Sequence, residues 1–142
     1  MTADCLIDTN VLVYAVDASP GYSSKKQIAM QLIETTDFGL SAQVFQEFYV
    51  TVTGKLRVPL SPERAMQFLD RFHAFPMVMT DFGLITEGIR NSIKFQTSYW
   101  DGAIIAAAER LRAKTLYSED FSHGQRYGSV RMVNPFISTS GS

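Results

Sequence analysis

Fourteen carboxylates are spread over 142 residues, and four of them stand in apolar company. A charge among apolar neighbours is expensive unless something pairs with it, so each of the four needs a reason. Asp8 ends the apolar run Cys5-Leu6-Ile7 and is followed by Thr9 and Asn10. Glu47 lies in Gln46-Glu47-Phe48-Tyr49, Asp101 in Ser98-Tyr99-Trp100-Asp101-Gly102, and Asp120 in Tyr117-Ser118-Glu119-Asp120-Phe121. Asp17, Glu34, Asp37, Glu63, Asp70 and Glu109 sit in polar, turn or helix-surface settings and read as solvated. Acids brought together from distant segments repel one another unless a cation holds them. Oxygen ligands without a histidine or cysteine companion suit Mg2+ or Mn2+ better than zinc. His73 and His123 are remote from these motifs and read as helix-surface or turn residues. A carboxylate-held Mg2+ that keeps several waters is the usual equipment for phosphate-ester chemistry.

A simpler role competes at each position. Asp8, or Thr9 beside it, would serve as a helix cap. Glu47 falls in the first half of a helix, where the dipole favours any acid. Ser98 and Asp101 have the spacing of a capping box, although aspartate is a weaker box partner than glutamate, and Tyr99 and Trp100 suggest the wall of a cleft. Asp120 could be a turn residue, and Glu119 is its rival. Asp120 is preferred because it stands two residues past Ser118, whose hydroxyl could bond a neighbouring carboxylate.

The elements that must position these acids alternate in type. Ala3 to Ile7 reads as a buried strand, and a helix from Thr9 to about Val16 stops before the turn Ser19-Pro20-Gly21. A helix from Ser23 to about Glu34 follows, with Ile28, Leu32 and Ile33 on one face. Asp37 to Leu40 is a short strand. Ser41 caps a helix whose stripe is Val44, Phe45, Phe48, Tyr49 and Val52. Ser61-Pro62-Glu63 starts a helix to about Phe72. Phe75 to Met79 is the third strand. Thr80 or Asp81 caps a helix with Phe82, Ile85, Ile89 and Ile93 spaced three, four and four apart. Tyr99 to about Arg112 is rich in alanine and should be the most buried helix. Lys114 to Tyr117 and Val130 to Val133 complete a parallel sheet of four to five strands, with helices on both faces in three α/β/α layers. Asp8 and Asp120 then fall at strand carboxyl ends and Asp101 at a helix start, along the edge where such sheets bind ligands.

Composition sets outer limits. The length suits one domain, expected over residues 1–137, with the small polar tail 138–142 expected to be disordered. The chain is 46% apolar and 19% charged, an ordinary globular balance. No apolar run approaches the roughly 18 residues of a membrane span. The N-terminus does not read as a signal peptide, and the lone Cys5 reads as a small core residue. A cytoplasmic location fits these features. A formal net charge of −1 argues against gripping nucleic acid by bulk charge, but not against a metal with a local basic patch. Lys55, Arg57, Arg90, Lys94 and Arg126 are possible phosphate contacts, each also readable as an ordinary surface charge.

Four stretches carry a family likeness: Leu6 to Tyr14, Gln43 to Tyr49, Tyr99 to Ala108, and Tyr117 to Phe121. In this order and spacing they resemble the PIN-domain ribonucleases, most closely the VapC-type toxins of bacterial toxin–antitoxin pairs. The resemblance implies a PIN-like α/β/α fold and a Mg2+- or Mn2+-dependent endoribonuclease. It implies that Asp8, Glu47, Asp101 and Asp120 form an acidic quartet, with Asp8 and Asp101 the direct metal ligands. Ser118 matches the family's hydroxyl near the metal, and Asn10 its polar residue after the first aspartate. A homodimer and a cognate antitoxin protein are implied as well. Two other readings compete. One is a catalytically silent PIN-like scaffold that binds RNA or a protein. The other is a dehalogenase-like phosphatase, which wants a second aspartate where this chain has Asn10.

Overall fold

The computed structural model describes residues 1–137; the tail expectation for 138–142 lies outside the described residues. The elements run β1 (Cys5–Ile7), α1 (Thr9–Val16), α2 (Ser23–Thr35), β2 (Phe38–Ser41), α3 (Ala42–Gly54), α4 (Pro62–Phe72), β3 (Met77–Val78), α5 (Phe82–Phe95), α6 (Tyr99–Arg110), β4 (Thr115–Tyr117), β5 (Arg126–Tyr127) and β6 (Val130–Val133). The strands form one sheet in the order β3-β2-β1-β4-β6-β5. The first five in that order pair in parallel, as expected. The sixth, β5, is antiparallel to β6 and absent from the sequence reading. It is two residues long, too short for any alternation to register. Its hairpin turns at Gly128, whose φ of 59° is left-handed and suits glycine.

The helix starts follow their capping residues. The Oγ of Ser41, Ser61 and Ser98 accepts from the backbone N–H of Val44, Arg64 and Asp101. Asp81, not Thr80, caps α5 by accepting from the N–H of Leu84 at 2.8 Å. The central strand β1 is buried throughout, and α6 is buried from Gly102 to Ala108. Alanines let α6 lie close to the sheet, and two glycines let it lie close to α5. A Cβ built on Gly102 would stand 2.4 Å from the carbonyl oxygen of Gly88 and 2.8 Å from the nitrogen of Ser92. Only glycine allows backbones to approach so closely.

One expectation is corrected. Asp17 was read as solvated but is buried, because the chain leaving α1 folds back on it and its Oδ1 accepts from the N–H of Ser19 at 2.9 Å. Among the aromatics, Phe38, Phe48 and Phe72 are core. One exposed apolar stripe lies on α5. There the spacing that identified the helix marks its outer face: Phe82 is 79% exposed and Ile93 73%, while Leu84 and Gly88 face inward.

Candidate active site

The sheet places Asp8 and Ser118 side by side, because each follows one of the two adjacent central strands, β1 and β4. Ile7 and Tyr117 are paired across these strands, and the N–H of Asp8 donates to the carbonyl of Tyr117 at 2.9 Å. The Ser118 hydroxyl donates to Asp8 Oδ2 at 2.7 Å, and the N–H of Thr9 donates to Asp8 Oδ1 at 2.8 Å. Asp8 does stand at the cap position of α1, but its side chain reaches only the first helical amide. An ordinary cap serves the second or third. Burial pushes the Asp8 carboxyl up to about 6, against the lowering effect of Ser118 and Thr9; the charges of Asp120 and Glu47 add to the rise.

Asn10 ties this corner together. Its Nδ2 donates to Ser118 Oγ at 3.2 Å and to Asp120 Oδ2 at 3.1 Å, while its Oδ1 accepts from the N–H of Glu119 at 3.2 Å. The N–H of Asp120 donates to Ser118 Oγ at 3.1 Å. The two acids after β4 have different surroundings. Glu119 accepts from the Tyr14 hydroxyl at 2.7 Å and pairs with Lys25 Nζ at 3.0 Å, so its charge is already matched. Asp120 is the one whose charge reaches both Asp8 and Asp101.

Glu47 is exposed but not free. Thr9 Oγ1 donates to its Oε2 at 3.0 Å, and Gln43 Nε2 donates to its Oε1 at 2.9 Å. Gln43 Nε2 also lies 3.4 Å from the carbonyl oxygen of Trp100, so one amide spans α3 and the start of α6. Asp101, in the first turn of α6, gives its N–H to Ser98 Oγ at 3.0 Å. The reciprocal half of a capping box, Ser98 N–H to the Asp101 carboxylate, is not formed. Burial raises the Asp101 carboxyl; the Ser98 hydroxyl lowers it, and the charges of Asp120 and Glu47 raise it further.

The structure therefore brings all four acids to one end of the sheet, where the charges of Glu47 and Asp120 reach both Asp8 and Asp101. It does not pack them tightly: among the described residues, no three His, Cys, Asp or Glu side chains are gathered closely enough to hold one ion by themselves. The donor set still fits a hard cation, since Mg2+ is usually held by one or two carboxylates and keeps its remaining waters. Each Asp8 oxygen accepts one hydrogen bond and retains a lone pair for such an ion. The histidines stand apart: His73 ends α4, and His123 Nδ1 accepts from the N–H of Asn134.

Beside the acids runs a groove of about 890 Å3, lined among others by Asn10, Glu47, Asp120, Tyr22, Lys55 and Arg57. Of the five basic residues singled out from sequence, these two line it; Arg90, Lys94 and Arg126 do not. Sequence reasoning missed Thr9, Gln43 and the pair Tyr14–Lys25 as neighbours of the acids. Gln43 could have been found, since it stands four residues before Glu47 on one helix face. Thr9 meets Glu47 across 38 positions and Lys25 meets Glu119 across 94, with no local signal.

The family model described as PIN domain matches residues 5–126. Among curated proteins none matches the chain closely enough to count as a relative. Solved structures do. A toxin–antitoxin complex from Klebsiella pneumoniae superposes with a TM-score of 0.69 at 16% identity, covering 93% of this chain and 98% of that one. VapC20 of Mycobacterium tuberculosis, described as a sarcin-ricin loop cleaving toxin, gives 0.64 at 12% identity over 82% and 89%. VapBC2 from Rickettsia felis, bound to a DNA fragment from its promoter, gives 0.61 at 17% identity over 90% and 96%. At these identities the likeness is one of fold.

Proposed function

The chain belongs to the PIN-domain family, and on that footing we propose that residues 1–137 form one PIN domain acting as a Mg2+- or Mn2+-dependent endoribonuclease, the toxin of a VapBC-type toxin–antitoxin pair. One observation carries the reading. A buried carboxylate, Asp8, is oriented by the Ser118 hydroxyl at the carboxyl end of the central strands, facing Glu47 and Asp120. Asp101 faces the same two acids from α6. That much negative charge, with no lysine or arginine within 4 Å among the described residues, calls for a cation.

Asp8 and Asp101 are the residues that would hold the ion, with Glu47 and Asp120 reaching it directly or through its waters. Bound there, a divalent ion supplies charge against the developing oxyanions of a phosphodiester and lowers the pKa of water. The chain's own groups do the positioning. Ser118 and the Thr9 amide fix both Asp8 oxygens. Thr9 and Gln43 fix both Glu47 oxygens. Asn10 holds Asp120 against Ser118. The looseness of the acids is the observation on the side of a non-cutting scaffold.

The partners follow from the same reading. The Klebsiella structure is a toxin–antitoxin complex, which supports an antitoxin for this chain too. A homodimer is supported by the outer face of α5, where Phe82, Ile85, Ile89 and Ile93 lie exposed on one stripe. Runs of exposed apolar residues of this kind mark protein contacts. Among the described residues no helix is long and apolar enough to cross a membrane; a cytoplasmic site of action is part of the proposal. The deciding experiment is an RNA cleavage assay with Mn2+ or with EDTA. Cleavage is expected only with the metal, and neither Asp8→Asn nor Asp101→Asn should cut. Cutting that persists in EDTA would remove the metal reading. A purified wild-type protein that cuts no RNA yet binds it tightly would favour the scaffold.

A further inference from the structure

The groove beside the acids continues into a second hollow of about 440 Å3. The two share Glu47, Thr51 and Lys55, so Lys55 stands on the saddle between them. Each hollow carries one solvent-exposed aromatic ring. Tyr22, 41% exposed, lines the first, and Trp100, 63% exposed, lines the second. Neither ring dangles. Tyr22 is tilted against Tyr14 at 5.5 Å between centroids, and Trp100 stands edge-on to Tyr99 at 5.1 Å. Lys55 and Arg57 have no acid within 4 Å among the described residues, whereas the neighbouring Lys25 is matched by Glu119.

Charge alone cannot seat a polyanion here. The first hollow is lined by Asp17, Glu47, Glu119 and Asp120 against only Lys55 and Arg57, and the whole chain is net negative. Affinity must come from a contact that charge does not govern. Stacking on aromatic rings is such a contact, and it is open only to bases that are not already paired. We infer that Tyr22 and Trp100 are base-stacking platforms on either side of the acids, with Lys55 on the saddle taking the phosphate between them.

This rests on the nuclease reading for its placement, but its test does not depend on cutting. Trp100 is the sole tryptophan, so the intrinsic fluorescence of the whole protein reports that one ring. The probe is a dodecamer of uridine, mixed with the full chain and Mg2+ in a stopped-flow instrument and read before cleavage accumulates. The single strand should quench Trp100; the same strand annealed to its complement should not. Tyr22→Ala and Trp100→Ala, followed by anisotropy of a labelled strand, should each weaken binding roughly ten- to a hundredfold, with Trp100→Phe retaining most of it. Lys55→Gln should reduce the slope of log K against log salt by about 0.7, as for one lost phosphate on a single strand. Equal quenching by duplex, or unchanged binding by both alanine variants, overturns the inference even if the wild type cuts RNA. So does a Trp100 signal unmoved by RNA but shifted in a purified complex with a co-expressed protein, which would make that face a protein surface. Quenching without any cleavage would leave the platforms standing and remove the nuclease.

Discussion

Replacing Asp8 by asparagine should make the metal-free protein more stable while it abolishes cleavage. The Asp8 carboxyl is buried and raised from an ordinary 3.8 to about 6. In the unfolded chain it is ionised above about pH 4; in the folded chain it keeps its proton up to about pH 6. The stabilisation due to the bound proton is therefore full below about pH 4 and is lost as the pH rises through about 6. At 1.36 kcal/mol per pH unit, that interval is worth about 3 kcal/mol. An asparagine never bears this charge. Its carbonyl can accept from the N–H of Thr9, but its amide can donate to Ser118 Oγ only in place of one of the bonds that oxygen accepts from Asn10 and the Asp120 N–H, at a cost of about 0.5–1.5 kcal/mol. In EDTA at pH 8, Asp8→Asn should thus be about 1.5–2.5 kcal/mol more stable than wild type, or roughly 4–9 °C in Tm for a domain of this size. At pH 4 the gap should close or reverse. Urea unfolding at the two pH values measures it directly, and the raised carboxyl of Asp101 cancels in the difference. Adding Mn2+ at pH 8 should stabilise the wild type and not the variant. A variant less stable than wild type at pH 8 in EDTA, or a gap that ignores pH, would refute the reasoning.

Three further outcomes are expected. Ser118→Ala removes a buried hydroxyl that donates to a carboxylate, so it should cost about 1.5–3 kcal/mol in urea unfolding. With one lowering contact gone, the Asp8 carboxyl should rise further, and the acid limb of the pH–rate profile should move to higher pH. Thr9→Val and Gln43→Ala each free one oxygen of Glu47; kcat should fall on the order of tenfold per variant, with circular dichroism and Tm near wild type. Gly102→Ala forces a Cβ into the backbone of α5. It should destabilise by about 1–3 kcal/mol and should lower cleavage beyond the loss of folded protein, because α6 carries Asp101.

What was legible in the sequence was local. The strand ending in Asp8, the caps at Ser41, Ser61 and Ser98, and the buried alanine helix are each written in residues a few positions apart, and each is where it was read. The gathering of the acids was legible one step further away, through the rule that a parallel sheet collects its carboxyl ends on one edge. What stayed hidden depends on partners far along the chain. Nothing near Glu47 announces Thr9, and nothing near Glu119 announces Lys25. Helical spacing at Phe82, Ile85, Ile89 and Ile93 gave a helix correctly, but periodicity does not tell which way an apolar stripe faces. Here the small face of Gly88 is the one packed inward.

The sheet order also sets when a growing chain can become competent. β1 is made well before its neighbour β4, which begins at Thr115 and delivers Ser118 and Asp120 to Asp8. Until β4 has been made, one flank of the central strand is bare and the Asp8 carboxylate lacks its hydroxyl. A chain cut short before β4 would keep Thr9 and Gln43 beside Glu47 but leave Asp8 without the Ser118 hydroxyl. The two halves of the site thus become available at different chain lengths, the Glu47 half early and the Asp8 half only once β4 has been made.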